Sequence, residues 1–152
     1  MSEIEQESQE IRISVMMLAD AAHAVGGKLY VLGGGFDRIN MPAVPFSHRF
    51  DLAMLIEVPW VATNQPYQVV VELRDADGEA IGYRAEATME TGRPPGVRQG
   101  TSLTIPLALP VVADFPAAGR YVLQASINGR EANRVALEAV AMPGIGASGQ
   151  VS

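Results

Sequence analysis

The sequence predicts an all-β chain: a single antiparallel β-sandwich, immunoglobulin-like or C2-like, of about eight strands with flexible termini. Three observations predict it. Apolar and polar residues alternate with period two through most of the chain, most cleanly from His48 to Val58. Asp77-Gly78 and Asn128-Gly129 stand between alternating runs, where such pairs supply the positive φ angles of tight hairpins. Helical periodicity is almost absent, and the longest apolar run, Val15 to Ala19, is far below the roughly 20 residues a membrane helix needs.

The elements follow in order. Residues 1–10 (MSEIEQESQE) offer nothing apolar except Ile4 and read as a flexible lead-in to a domain spanning 11–142. The first strand is expected over Ile11 to Ala19, with Ile11, Ile13, Val15 and Met17 on one face. A loop with a Gly-Gly turn is expected over Asp20 to Gly27, and a return strand over Lys28 to Phe36, where three consecutive glycines suggest a bulge or a close backbone approach. His48 to Val58 places His48, Phe50, Leu52, Met54, Ile56 and Val58 on one face. Pro66 to Arg74 and Glu79 to Met89 form a hairpin about Asp75-Ala76-Asp77-Gly78. Glu90 to Gln99, rich in Pro, Gly and Arg, reads as a loop. Leu103 to Val111 alternates again but contains Pro106 and Pro110, which confine it to a sheet edge because proline cannot donate to a ladder. Arg120 to Ile127 and Glu131 to Met142 form the last hairpin, and the Gly- and Ser-rich residues 143–152 read as a flexible tail.

Composition narrows the function. The chain has 152 residues, no Cys, and seventeen Asp and Glu against eleven Lys and Arg, for a net charge of −6. Disulfides, thiolate metal sites and a Cys nucleophile are excluded. The acidic balance sets nucleic acid and anionic membranes aside as default partners, leaving protein, either another chain or a second copy. The first ten residues lack the basic stretch and apolar run of a secretory signal, so the expected location is the cytoplasm.

Two stretches carry a resemblance. Leu18-Ala19-Asp20-Ala21-Ala22 followed by Gly27-Lys28-Leu29-Tyr30-Val31-Leu32-Gly33-Gly34-Gly35-Phe36-Asp37-Arg38-Ile39 resembles the opening ADxA…GKLYxLGGGxxRI of an uncharacterised bacterial β-sandwich family. The segment Phe115-Pro116 to Gly129 resembles that family's FPxxGxYxxxxxxNG ending, which many sandwiches share. The resemblance implies a fold and transfers no catalytic residue.

The candidate chemistry is sparse. Gly33-Gly34-Gly35 is followed by Phe36 to Pro42, which is not helical and lacks a Gly-Lys-Ser/Thr ending, so it is no phosphate cradle. His23 and His48 lie far apart in sequence and could complete a zinc set only with carboxylates. No Gly-x-Ser-x-Gly elbow occurs. No enzyme activity and no cofactor are therefore expected. Trp60, after Pro59 at a strand end, and Arg93 and Arg98 on the Pro/Gly loop are the candidate partner-binding residues, and Met16 and Met41 are candidate surface methionines. The function expected is a non-catalytic interaction or structural module, a subunit or adaptor of an intracellular bacterial assembly. The alternative is a small-ligand or calcium module that pools Asp20, Asp37, Asp75 and Asp77 at one end of the sandwich.

Overall fold

The computed structural model describes residues 9–143; both predicted tails otherwise lie outside the described residues. Nine strands and one short 3-10 turn run in the order β1 (Arg12–Val25), β2 (Lys28–Gly34), β3 (Arg38–Met41), β4 (Phe46–Val58), the turn Trp60–Ala62, β5 (Pro66–Arg74), β6 (Ala80–Glu90), β7 (Leu103–Phe115), β8 (Gly119–Ile127) and β9 (Arg130–Ala141). One sheet has the order β2-β1-β4-β7 and the other β3-β9-β8-β5-β6. The predicted all-β sandwich is what forms. All ladders are antiparallel except that of β3, a four-residue edge strand missed in the sequence, which runs parallel to β9.

The core between the sheets holds the alternating residues of β4, β5, β7 and β8, with Phe50, Leu52, Met54, Tyr67, Leu73, Phe115 and Leu123 almost wholly excluded from water. Tyr121 packs edge-on against Phe115 at 5.0 Å between centroids, and its hydroxyl donates to the Ala117 carbonyl at 2.6 Å. Asn128 and Gly129, at φ 50° and 81°, make the predicted hairpin turn, and the Asn128 side chain accepts the Gln68 amide at 3.0 Å.

Two expectations about the first hairpin fail, each for a local reason. A bulge between Ile13 and Val15 reverses the alternation, so Val15 and Met17 leave the face of Ile13 while Met16 and Leu18 join the core side. The predicted loop from Asp20 is strand as far as Val25, because Ala21 to Val25 pairs with Lys28 to Leu32. Gly33 lies opposite Asp20 at φ 61°, and a Cβ there would collide with the Asp20 carboxylate. The hairpin beyond this point lies across its own sheet: β2 approaches β4 and β7, neither of which is its ladder neighbour. Ala19, Ala22 and Ala53 form a second small core there, flanked by Met17, Leu29, Val31 and Ala108, and the Ala22 amide donates to the buried Asp51 carboxylate at 2.8 Å.

The two long sides of the sandwich differ. Along β1 and β9 the sheets are joined: Arg130 donates to the Ile11 carbonyl at 3.1 Å and Asn133 to that of Ile13 at 2.8 Å. Along β6 and β7 they meet at one end only. Gly82, at φ 76°, sits where a Cβ would strike the Asp114 carbonyl, and the Tyr83 hydroxyl donates to Pro110 at 3.3 Å. Toward Met89 and Leu103 the inward-facing side chains of both strands are only half-buried.

Candidate functional site

The open end of the β6/β7 side lies beside Trp60. β4 ends at Val58, and Pro59, extended at φ −67° and ψ 157°, starts the 3-10 turn. The turn is closed by Thr63, whose amide and hydroxyl both donate to the Trp60 carbonyl, at 3.2 and 2.6 Å. Next comes Asn64, in the left-handed region at φ 60°, whose amide donates to the Thr91 carbonyl at 2.8 Å. The Thr91 hydroxyl in turn lies 3.1 Å from that of buried Tyr67. The start of the Pro/Gly loop is thus tied both to the turn and to the core.

Arg93 is held on this base. Its Nε donates to the Thr63 hydroxyl at 2.6 Å and its Nη2 to the Trp60 carbonyl at 3.1 Å, while Cζ stands 3.8 Å from the Trp60 ring centroid. Such a stack contributes about 0.5–1 kcal/mol at an exposed site. The guanidinium's remaining N–H groups face no carboxylate: among the described residues every ion pair uses another arginine. A fixed planar fork with open donors suits bidentate capture of a carboxylate or phosphate.

Arg93 borders a groove of about 710 Å³ lined by Met89, Leu103, Ile105, Pro106 and the hairpin tip at Ala24. The walls are chiefly apolar, with Glu90 the acid among them. Two of the three residues singled out in the sequence, Trp60 and Arg93, are therefore brought together. Arg98 stays apart: it is exposed, and its carbonyl accepts the Thr101 amide at 3.1 Å. The groove walls were not legible as a site, because Leu103 and Ile105 read as ordinary core positions.

The other candidates have structural partners. Met41 is fully buried and Met16 half-buried against the core, which corrects their reading as surface methionines. His23 is exposed opposite Tyr30, whereas His48 lies between Phe46 and Phe50 at 5.5 and 6.1 Å, where burial lowers its pKa against the opposing pull of Asp20. Asp75 accepts the amides of Asp77 and Glu79 at 2.9 and 3.0 Å and so shapes its own turn. Among the described residues no group of three or more His, Asp or Glu is placed to hold a metal ion, and no helix is long and apolar enough to cross a membrane.

The model of a family of unknown function, DUF6941, matches residues 14–140, and the chain belongs to that family. Among curated proteins none matches. A solved structure of Pseudomonas fluorescens alkylpurine DNA glycosylase AlkC, bound to DNA containing an abasic site analog, is similar at 14% identity and a TM-score of 0.45. The likeness covers 86% of this chain and 30% of the glycosylase. The partner expected from net charge was protein, with nucleic acid set aside, whereas this distant neighbour is a glycosylase bound to DNA.

Proposed function

We propose that this member of a family of unknown function is a non-catalytic interaction module, a subunit or adaptor of a larger intracellular bacterial assembly. It engages its partner with the end of the sandwich that carries Trp60 and Arg93. The observation that carries this reading is Arg93 itself, fixed by two hydrogen bonds and an aromatic platform, with donors left open beside an apolar groove. An arginine ordered in advance loses little side-chain entropy on binding, and tryptophan and arginine are the residue types that most often anchor interfaces.

The test is retention of partners on the immobilised chain, compared with Arg93→Ala and Trp60→Ala, with a labelled DNA duplex titrated in parallel. A component retained by the native chain and lost from both variants is the expected result. Retention that is identical in all three, or DNA binding that survives both substitutions, overturns the reading.

A further inference from the structure

We propose that the open seam between β6 and β7 accepts an extended strand from another protein, aliphatic at alternate positions and bearing a carboxylate at the Arg93 end. The inference rests on the reading above and names the class of partner. β6 is an edge strand whose one ladder partner among the described residues is β5, so beyond the Gly82–Tyr83 end, where β7 approaches, its second row of backbone donors and acceptors has no strand against it. An added strand satisfies such a row along its whole length, and a compact ligand does not. The facing edge, β7, carries Pro106 and Pro110, which have no N–H to donate, so an incoming strand ladders onto β6.

Side chains set the pattern. Ala85 and Ala87 of β6, small and only partly buried, share the inward face of Met89, which lines the groove together with Ile105 of β7. A visiting strand with Val, Ile or Leu at every second position fills that space and removes apolar surface from water. At the Met89 end its carboxylate meets the open donors of Arg93.

A second copy fits the seam poorly. Of the other described edge strands, β2 (Lys28–Gly34) and the four-residue β3 (Arg38–Met41) each have one cation and no carboxylate for Arg93, and the edge of β7 is interrupted by Pro106 and Pro110. Two β6 strands set side by side would place alanine against alanine and leave the seam unfilled.

The experiment pans a library of random displayed peptides on the full chain, then measures a labelled synthetic copy of the enriched sequence against variants. Enrichment of alternating aliphatic residues with an Asp or Glu is expected. Binding should weaken about tenfold in Ala87→Arg and in Arg93→Gln, and β6 amides should gain protection from hydrogen exchange when the peptide is bound. A melting curve checks that Ala87→Arg folds; if it does not, Arg93→Gln and hydrogen exchange decide. Failure to enrich any sequence, unchanged affinity in folded Ala87→Arg, or no gain in β6 protection overturns the inference, as does a concentration-dependent dimer that Ala87→Arg abolishes. Arg93-dependent retention of a partner that leaves β6 amides unprotected sinks the strand proposal alone and leaves the interaction reading intact.

Discussion

The two long sides of this sandwich are built from the same kind of strand and end differently. On the β1/β9 side, Ile11 and Ile13 are buried and their carbonyls accept hydrogen bonds from Arg130 and Asn133 of the opposite sheet. On the β6/β7 side, Leu103, Ile105, Leu107, Ala85, Ala87 and Met89 face inward but are only partly buried. Alternation alone does not distinguish the two. What differs is how far polar groups cross between the sheets: Arg130 and Asn133 bind two carbonyls of β1 and its lead-in, whereas on the other side the Tyr83 hydroxyl reaches Pro110 at the end where the sheets meet and prolines and alanines line the rest.

The sharpest way to break the comparison is to truncate one isoleucine on each side. Ile13→Ala removes a side chain that is 4% exposed and should cost about 3 kcal/mol, while Ile105→Ala, half-buried, should cost about half as much. In thermal melts the first corresponds to a fall of roughly 6 to 12 °C. Equal falls for the two variants would show that the β6/β7 side is as closed as the other.

Overpacking gives a second, smaller contrast. Ala125 is wholly buried in the core, so Ala125→Leu should cost about 2 kcal/mol through displaced neighbours. Ala87→Leu places the same atoms in the open seam and should cost less than about 0.5 kcal/mol, because room exists for them. Urea midpoints at unchanged m-value report both; a comparable loss in Ala87→Leu would mean the seam is filled.

Much of this architecture was legible in the residues. His48 to Val58 and the turns Asp77-Gly78 and Asn128-Gly129 specify strands and connections by local rules, and the structure follows them. The first hairpin was read less well. Its bulge at Ile13/Val15 comes from pairing with β4, and its strand Ala21 to Val25 comes from pairing with β2; neither depends on local propensity, so alanine-rich sequence there gave a loop. β3 was missed because four residues that pair with a strand about a hundred positions away leave no local pattern. The site was half legible: Trp60 and Arg93 were conspicuous by type, but the groove beside them exists because two sheets separate, a property no single segment encodes.

The smallest effect concerns His48, which lies at the end of β4 opposite Trp60 and so tests whether the groove is independent of that end. Burial between Phe46 and Phe50 lowers its pKa from 6.5, partly opposed by Asp20. The folded protein therefore holds the imidazole neutral over a range in which the unfolded chain takes up a proton. Its contribution to stability is present in full above pH 6.5 and is lost as pH falls from there through the lowered folded value. Native protein should accordingly lose more stability than His48→Gln when both are taken from about pH 7.5 to about pH 5.5, above the range where carboxylates dominate. Peptide or partner affinity at Arg93 should stay level over the same interval, because His48 lies at the other end of β4 from the Trp60 turn that holds Arg93. Parallel loss of affinity and stability would mean that the two ends of the sandwich act as one unit.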